Sequence, residues 1–253
     1  VFSNKLEFKG AIIGMLLGDA SIPKIQNGIN NSLTLTHCIK QKEYLEYKQK
    51  ILSMLTECKV YEKNVYLKGN RYEAISLFTR RHPFYTKLRE HFYFQGRKTV
   101  NEHLLKCLSI HGLALWYQDD GCLTDHSNFL TPFLCTHGFN KTENELLVRM
   151  LQKQFGLQWR LRKDKQYYCL RLRRCDREEF FKLIDPYICN SMRYKIRSDG
   201  KKAERFDSVK IDCLNCKQQF SVQFNRRNRK FCSCKCYFIY RKKECEKREE
   251  SQK

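Results

Sequence analysis

The sequence predicts an α+β protein of two copies of one module, related by a pseudo-twofold axis, with a small cysteine-rich appendage behind them. Three observations lead there. Ala11-Ile-Ile-Gly-Met-Leu-Leu-Gly-Asp-Ala20 and Gly112-Leu-Ala-Leu-Trp-Tyr-Gln-Asp-Asp-Gly121 are both apolar, helix-length runs that close on Asp and a small residue. The segments after each run follow in the same order. From about residue 207 the composition shifts and cysteines bunch together.

In the first run Gly14 and Gly18 lie four apart, on one face of a helix. Glycine costs about 1 kcal/mol against alanine inside a helix, so two in one short helix imply close approach of another backbone. The second run is the natural partner, and its Leu115 in place of a glycine predicts looser packing on that side. Residues 32–37 answer 131–137 as strands, with His37 and His137 in matching places. Amphipathic helices follow over 42–55 and 141–155. Next come paired strands, 60–67 with 72–80 and 157–163 with 166–174, closing on Arg80-Arg81 and Arg173-Arg174. Helices over 83–94 and 177–187 complete each module. The order in both halves is helix, strand, strand, helix, strand, strand, helix. The modules are expected over 1–104 and 105–197, a linker over 198–206, and the appendage over 207–253.

The chain has 253 residues, with 49 Lys and Arg against 27 Asp and Glu, for a net charge of +22. Self-repulsion of that size opposes folding, and a polyanionic partner relieves it. Nucleic acid is the commonest such partner. No apolar stretch approaches the roughly 18 residues that span a bilayer, so no membrane partner is expected. Most of the 14 cysteines stand singly in apolar runs, as buried thiols of a reducing, intracellular compartment do. No signal peptide is expected, and a chain that opens on Val1 is expected to lack its initiator methionine or to begin inside a longer product.

Strand alternation puts Arg160 and Arg162 on one face of their strand, and Arg171 and Arg173 on one face of the next. A sheet with an apolar back and a basic front suits the major groove of duplex DNA. The first module alternates less cleanly, with Tyr72, Ser76 and Arg80 together, so the two halves would read different sequences.

If the two apolar helices pack side by side, Asp19 and Asp120 come together at their ends. Neighbouring carboxylates repel unless a cation bridges them, and Mg²⁺ is the natural ion for phosphate chemistry. Residues 12–20 and 113–121 resemble the paired signature motifs of the LAGLIDADG homing endonucleases. The stretches GMLLGDASI, LALWYQDDG and IDPYICNSMRYKI make residues 8–197 similar to the one-chain members. The resemblance implies a saddle of two sheets over double-stranded DNA. It also implies metal-dependent cleavage of both strands across the minor groove, leaving short 3′ overhangs, by a monomer. Asp19 and Asp120 would be the metal ligands, with Asp119 in support, where the family usually has Ala or Gly. Lys98 and Lys195 match the basic residue near each scissile phosphate. Some relatives instead bind intron RNA and assist splicing; that, or non-cleaving DNA binding on the same scaffold, is the alternative function. The histidines 37 and 137 have no defined family role. Richness in Lys, Asn, Tyr, Phe and Ile points to an AT-rich coding genome, in an organelle or a bacterial or phage host.

The appendage carries Cys213-Leu-Asn-Cys216 and Phe231-Cys232-Ser-Cys-Lys-Cys236. Cys213, Cys216, Cys232 and Cys236 are the expected Zn²⁺ ligands, in a treble-clef-like finger too short to fold without metal. Cys234 could replace a neighbour. Arg226, Arg227, Arg229 and Lys230 would extend contact along flanking DNA.

Overall fold

The computed structural model describes residues 4–25, 27–67, 69–126, 129–196, 208–223 and 228–250. The chain forms two compact units, divided at residue 200. The expected linker 198–206 lies outside the described residues.

In the first unit, helix α1 (Lys5–Leu17) starts where the Asn4 side chain accepts the Glu7 N–H at 2.9 Å. From Gly10 to Leu17 every residue is buried, which is the mark of a core helix. Strand β1 (Thr34–Cys38), helix α2 (Lys42–Leu52), strands β2 (Cys58–Leu67) and β3 (Asn70–Thr79), and helix α3 (Pro83–Phe92) follow. His82 caps α3 with Pro83 in its first turn, where a missing N–H costs nothing. The three strands form an antiparallel sheet in the order β1-β3-β2.

The first strand expected in this module is reduced to a single bridge, Ser21 with Thr34. Pro23 lacks an N–H to donate, and Asn27, Gly28 (φ +110°) and Asn30 favour turns over a ladder. A short hairpin, β4 (Tyr93–Phe94) and β5 (Arg97–Lys98), then turns through Gln95 and Gly96, both at positive φ. The short helix α4 (Glu102–Leu105) leads into the second module.

The second module has every expected element. Helix α5 (Ile110–Asp120) is capped by the Ser109 hydroxyl on the Gly112 N–H. Strands β6 (Gly121–His126) and β7 (Phe129–Leu134) precede helix α6 (Lys141–Phe155). A reciprocal Asn140–Glu143 capping box starts α6, and Gly156 ends it in the left-handed region. Strands β8 (Trp159–Asp164) and β9 (Tyr167–Leu172) and helix α7 (Arg177–Ile184) complete the module, with an antiparallel sheet of order β6-β7-β9-β8. One continuous core joins both modules, with Ile12, Met15 and Leu16 of α1 and Leu113, Leu115 and Trp116 of α5 fully buried.

The two motif helices touch backbone to backbone. A Cβ on Gly14 would sit 1.9 Å from the Gly112 carbonyl oxygen, and one on Gly112 would sit 2.1 Å from that of Gly10. Gly112 thus supplies on α5 the close approach that Leu115 was expected to weaken. Gly112→Ala should force the helices apart, and overpacking of this kind costs about 1–3 kcal/mol. Its melting temperature, followed by circular dichroism, should fall by several degrees, while Gly138→Ala, which meets open space, should melt like the parent.

The second unit comprises a hairpin of β10 (Ser208–Asp212) and β11 (Gln219–Gln223) and a C-terminal helix, α8 (Cys234–Glu250). Every cysteine with a described side chain is a free thiol. Among the described residues no helix is long and apolar enough to cross a membrane.

Candidate active site

Asp19 follows the end of α1 and Asp120 is the last residue of α5, so helix packing at the glycines delivers both carboxylates to one place. Burial raises the Asp120 carboxyl to about 7, helped by the charges of Asp19 and Asp119. Burial and then Asp119 also push Asp19 up, against Lys48, Lys195 and Lys98. Even so, 44% of the Asp19 side chain remains open to solvent.

Two lysines stand in equivalent positions around this pair. Lys98, on β5, donates to the Gly18 carbonyl at 2.9 Å, and Lys195 donates to the Asp119 carbonyl at 2.9 Å. Those carbonyls belong to the residues just before Asp19 and Asp120. Burial lowers both ammonium pKa values, opposed for Lys98 chiefly by Asp120 and for Lys195 chiefly by Asp119 and Asp19. The sequence singled out both lysines, and the fold brings both to the aspartates. The hairpin bearing Lys98 is held to the second module by Arg97, which makes two bonds to Glu143 at 2.9 and 3.1 Å. Lys195 is fixed through its own carbonyl, which accepts from the buried Tyr117 hydroxyl at 3.1 Å.

The sequence assigns Asp119 only a supporting role and does not say which partners surround it. Its side chain has no exposed surface, and Lys48, equally buried, pairs with Oδ1 at 2.5 Å. Tyr44 donates to the same oxygen at 2.8 Å, and the Asp19 N–H donates to Oδ2 at 3.1 Å. Asp19, His37 and Asp119 also bring ligand atoms within 4.8 Å of one another. The Asp119 oxygens are already committed to these donors, so that trio fits an incoming cation less well than the open Asp19 with Asp120. His37, left without a role by the sequence, lies 3.6 Å from the Asp19 carboxylate. Burial and Lys48 lower its pKa to about 3, so it is neutral. His137 is not its counterpart, for it faces Asp164 at 3.4 Å on the surface.

In the second module the expected basic row forms on the sheet without Arg173. Arg160 lies opposite Arg171 across β8 and β9, and Arg162 shares their face, with Arg160 and Arg162 exposed. Arg173 falls beyond β9, where its guanidinium bonds to the Gln158 side chain. Arg80 pairs with Glu57 at 2.9 Å, and Arg81 donates to the Asn27 carbonyl at 2.8 Å. These three arginines therefore also brace strand ends and a loop. On the corresponding face of the first sheet stand Lys59, Tyr61, Lys63, Tyr72 and Phe78, aromatic where the second sheet is cationic.

In the second unit Cys213, Cys216, Cys232 and Cys236 bring their sulfurs within 4.8 Å. Cys213 and Cys216 sit in a turn whose tightness Lys217 supplies at φ +59°. The Cys213 sulfur accepts the Cys232 N–H at 3.5 Å, and Cys236 comes from the first turn of α8. Cys234 is exposed and outside the cluster. Four thiols in one compact set are the donors that a soft-to-borderline ion selects. Arg229 and Lys230 are exposed, whereas Arg226 and Arg227 lie outside the described residues.

Residues 9–180 match the LAGLIDADG DNA endonuclease family. The chain belongs to that family. An uncharacterised protein of Methanocaldococcus jannaschii is 33% identical over 196 residues, 74% of this LAGLIDADG chain and 72% of its own length. A probable intron-encoded endonuclease of Wickerhamomyces canadensis is 29% identical over 191 residues, 73% of this chain and 81% of that one. Among solved structures, the homing endonuclease I-WcaI bound to its DNA recognition sequence superposes with a TM-score of 0.67. That match is 26% identical and covers 78% of this chain and 88% of the other. Two motif helices with their antiparallel sheets are thus the LAGLIDADG fold, and the aspartates described above end its two motifs.

Proposed function

We propose that this chain is a site-specific double-stranded DNA endonuclease that hydrolyses one phosphodiester in each strand of a long asymmetric target. The reading rests on one constellation, Asp19 and Asp120 converging from glycine-packed helices with Lys98 and Lys195 bonded at equivalent carbonyls. Oxygen donors of this kind suit Mg²⁺, which when bound would polarise the phosphate and lower the pKa of a water. Asp19 and Asp120 would hold the ion. Lys98 and Lys195 would stabilise the charge that builds on each scissile phosphate and orient the attacking water. Arg160, Arg162 and Arg171 would read base edges in one half-site, with the aromatic and lysine face of residues 59–78 against the other. The chain would act as a monomer, residues 1–104 and 105–197 each forming one half, in a reducing compartment. Cys213, Cys216, Cys232 and Cys236 would hold a structural Zn²⁺, and residues 207–253 would contact flanking phosphates through Arg229 and Lys230.

A randomised plasmid library incubated with the protein should yield linear DNA with short 3′ overhangs in Mg²⁺ and none in EDTA. Absence of any linear product over a range of Mg²⁺ concentrations would overturn the proposal.

A second outcome concerns pH. The folded Asp120 keeps its proton up to about 7, against an ordinary 3.8, so the metal-free fold binds the proton more tightly than the unfolded chain. Stability of the metal-free protein should therefore fall as pH rises between those values. A divalent ion must displace that proton, so the Mg²⁺ concentration for half-maximal cleavage should rise about tenfold per pH unit below 7. Mg²⁺ titrations between pH 5.5 and 8 read this directly.

A further inference from the structure

Lys48 is out of character for its position. The buried residues of α2 are Tyr44, Leu45, Lys48, Ile51 and Leu52, an apolar stripe at helical spacing that a lysine interrupts. Burying an ammonium completely costs several kcal/mol unless a carboxylate and hydrogen bonds answer it. The answer comes from the other module, through Asp119 Oδ1 at 2.5 Å, while the Tyr44 ring lies 4.5 Å from the charge.

Two connections run from this pair to Asp19. Asp119 Oδ2 accepts the Asp19 backbone N–H at 3.1 Å. Lys48 meets His37 Nε2 at 3.1 Å, and His37 Nδ1 stands 3.6 Å from the Asp19 carboxylate. Backbone and side chain of Asp19 are both addressed, and Gly18 leaves the room this requires, since a Cβ there would lie 2.4 Å from Asp119 Oδ2.

Nothing equivalent reaches Asp120 among the described residues. Counted from the helix starts at Lys42 and Lys141, Lys48 corresponds to Leu147 and His37 to Thr136. Leu147 is a buried hydrocarbon, and Thr136 bonds to Asn144 in a neutral pair. Gly18 occupies the motif position of Asp119 and has no side chain to send across the axis. One half of the site therefore has a buried charged brace where the other has uncharged packing.

We infer that Lys48 and Asp119 are positioning residues that orient Asp19 alone, so that cleavage of the two DNA strands depends on unequal supports. The inference rests on the endonuclease reading above. It is tested by single-turnover cleavage, in Mg²⁺, of a plasmid target selected by the wild-type protein from a randomised library, with each strand labelled separately. In Lys48→Met the ratio of the two strand rates should shift tenfold or more, and nicked DNA should accumulate. The double variant Lys48→Met/Asp119→Ala removes both charges and leaves no buried ion unpaired, so it carries the test if the single variant does not fold. It should keep the shifted ratio. A ratio within twofold of wild type, or recovery of both rates in the double variant, would overturn the positioning role. A wild-type protein that selects no target and cuts neither strand would overturn the endonuclease reading instead.

Discussion

Replacing Asp120 with Asn should lower DNA cleavage by roughly 10²- to 10⁴-fold while leaving the metal-free protein as stable as the parent or more so. The change keeps the shape of the side chain and removes its charge. An amide is a weaker donor to a hard cation than a carboxylate, and the ion's hold on the scissile phosphate weakens with it. Stability moves the other way because the parent carboxyl is under stress, raised to about 7 by burial and by its acidic neighbours. Asn removes that repulsion at neutral pH. The pair of readouts, plasmid cleavage in Mg²⁺ and thermal unfolding in EDTA, separates loss of chemistry from loss of fold. Asp19→Asn should lose activity to a similar degree. Full activity in both single variants would exclude the two motif aspartates as the metal-holding pair. Asp119→Asn offers a contrast. It strips the fully buried Lys48 of the carboxylate that answers its charge, and breaking such a pair costs about 3–5 kcal/mol, so this variant should melt well below the parent.

The repeat was legible because helical and strand periods are local properties. The two apolar runs, the amphipathic helices over 42–52 and 141–155, and the strand pairs over 58–79 and 159–172 stand where periodicity placed them. Asp19 and Asp120 could be named because they close the two apolar runs, and Lys98 and Lys195 because the family resemblance implies a basic residue after the last helix of each module. The contacts that cross between modules were not legible. Gly112 meets Gly10 and Gly14 only once the helices cross, and the pairing of Asp119 with Lys48 joins residues far apart in sequence. A signal was present in α2, where a lysine occupies the buried stripe of an otherwise amphipathic helix. Such a residue calls for a partner, although the sequence does not say which. The matching of His37 with His137 misled for a related reason. Residue count aligned them, but the segment between strand and helix is longer after β7 than after β1, and it turns His137 outward to Asp164. Arg81 and Arg173 show the limit of reading charge as interface. A guanidinium near a strand end finds carbonyl and amide acceptors within the protein before any external partner arrives.

If the cysteine cluster holds the proposed Zn²⁺, removing that ion should unfold the second unit and leave the first intact. The hairpin of β10 and β11 has strands of five residues each, and the buried apolar side chains described in this unit are Cys213 and Val222. So little burial cannot offset the conformational entropy of the ordered residues. Four thiolates on Zn²⁺ supply apparent free energies of about 10–16 kcal/mol in comparable small domains, so metal binding and folding become one event. Hydrogen exchange of the full chain, with and without a strong chelator, should show amide protection vanishing over residues 208–223 and persisting in α1 and α5. Cys216→Ser should reproduce that change without chelator, whereas Cys234→Ser should not, because Cys234 lies outside the cluster. Unchanged protection after chelation, with the metal shown to be gone, would rule out a structural ion. The same treatment should weaken DNA binding nearly uniformly across sequences and flatten its salt dependence. Arg229 and Lys230 are exposed, and on the proposed reading their charge would meet phosphates rather than base edges. Each phosphate no longer neutralised lowers the slope of log affinity against log salt by about 0.9. Target choice should survive, because the residues proposed to read base edges belong to the two sheets of the first unit.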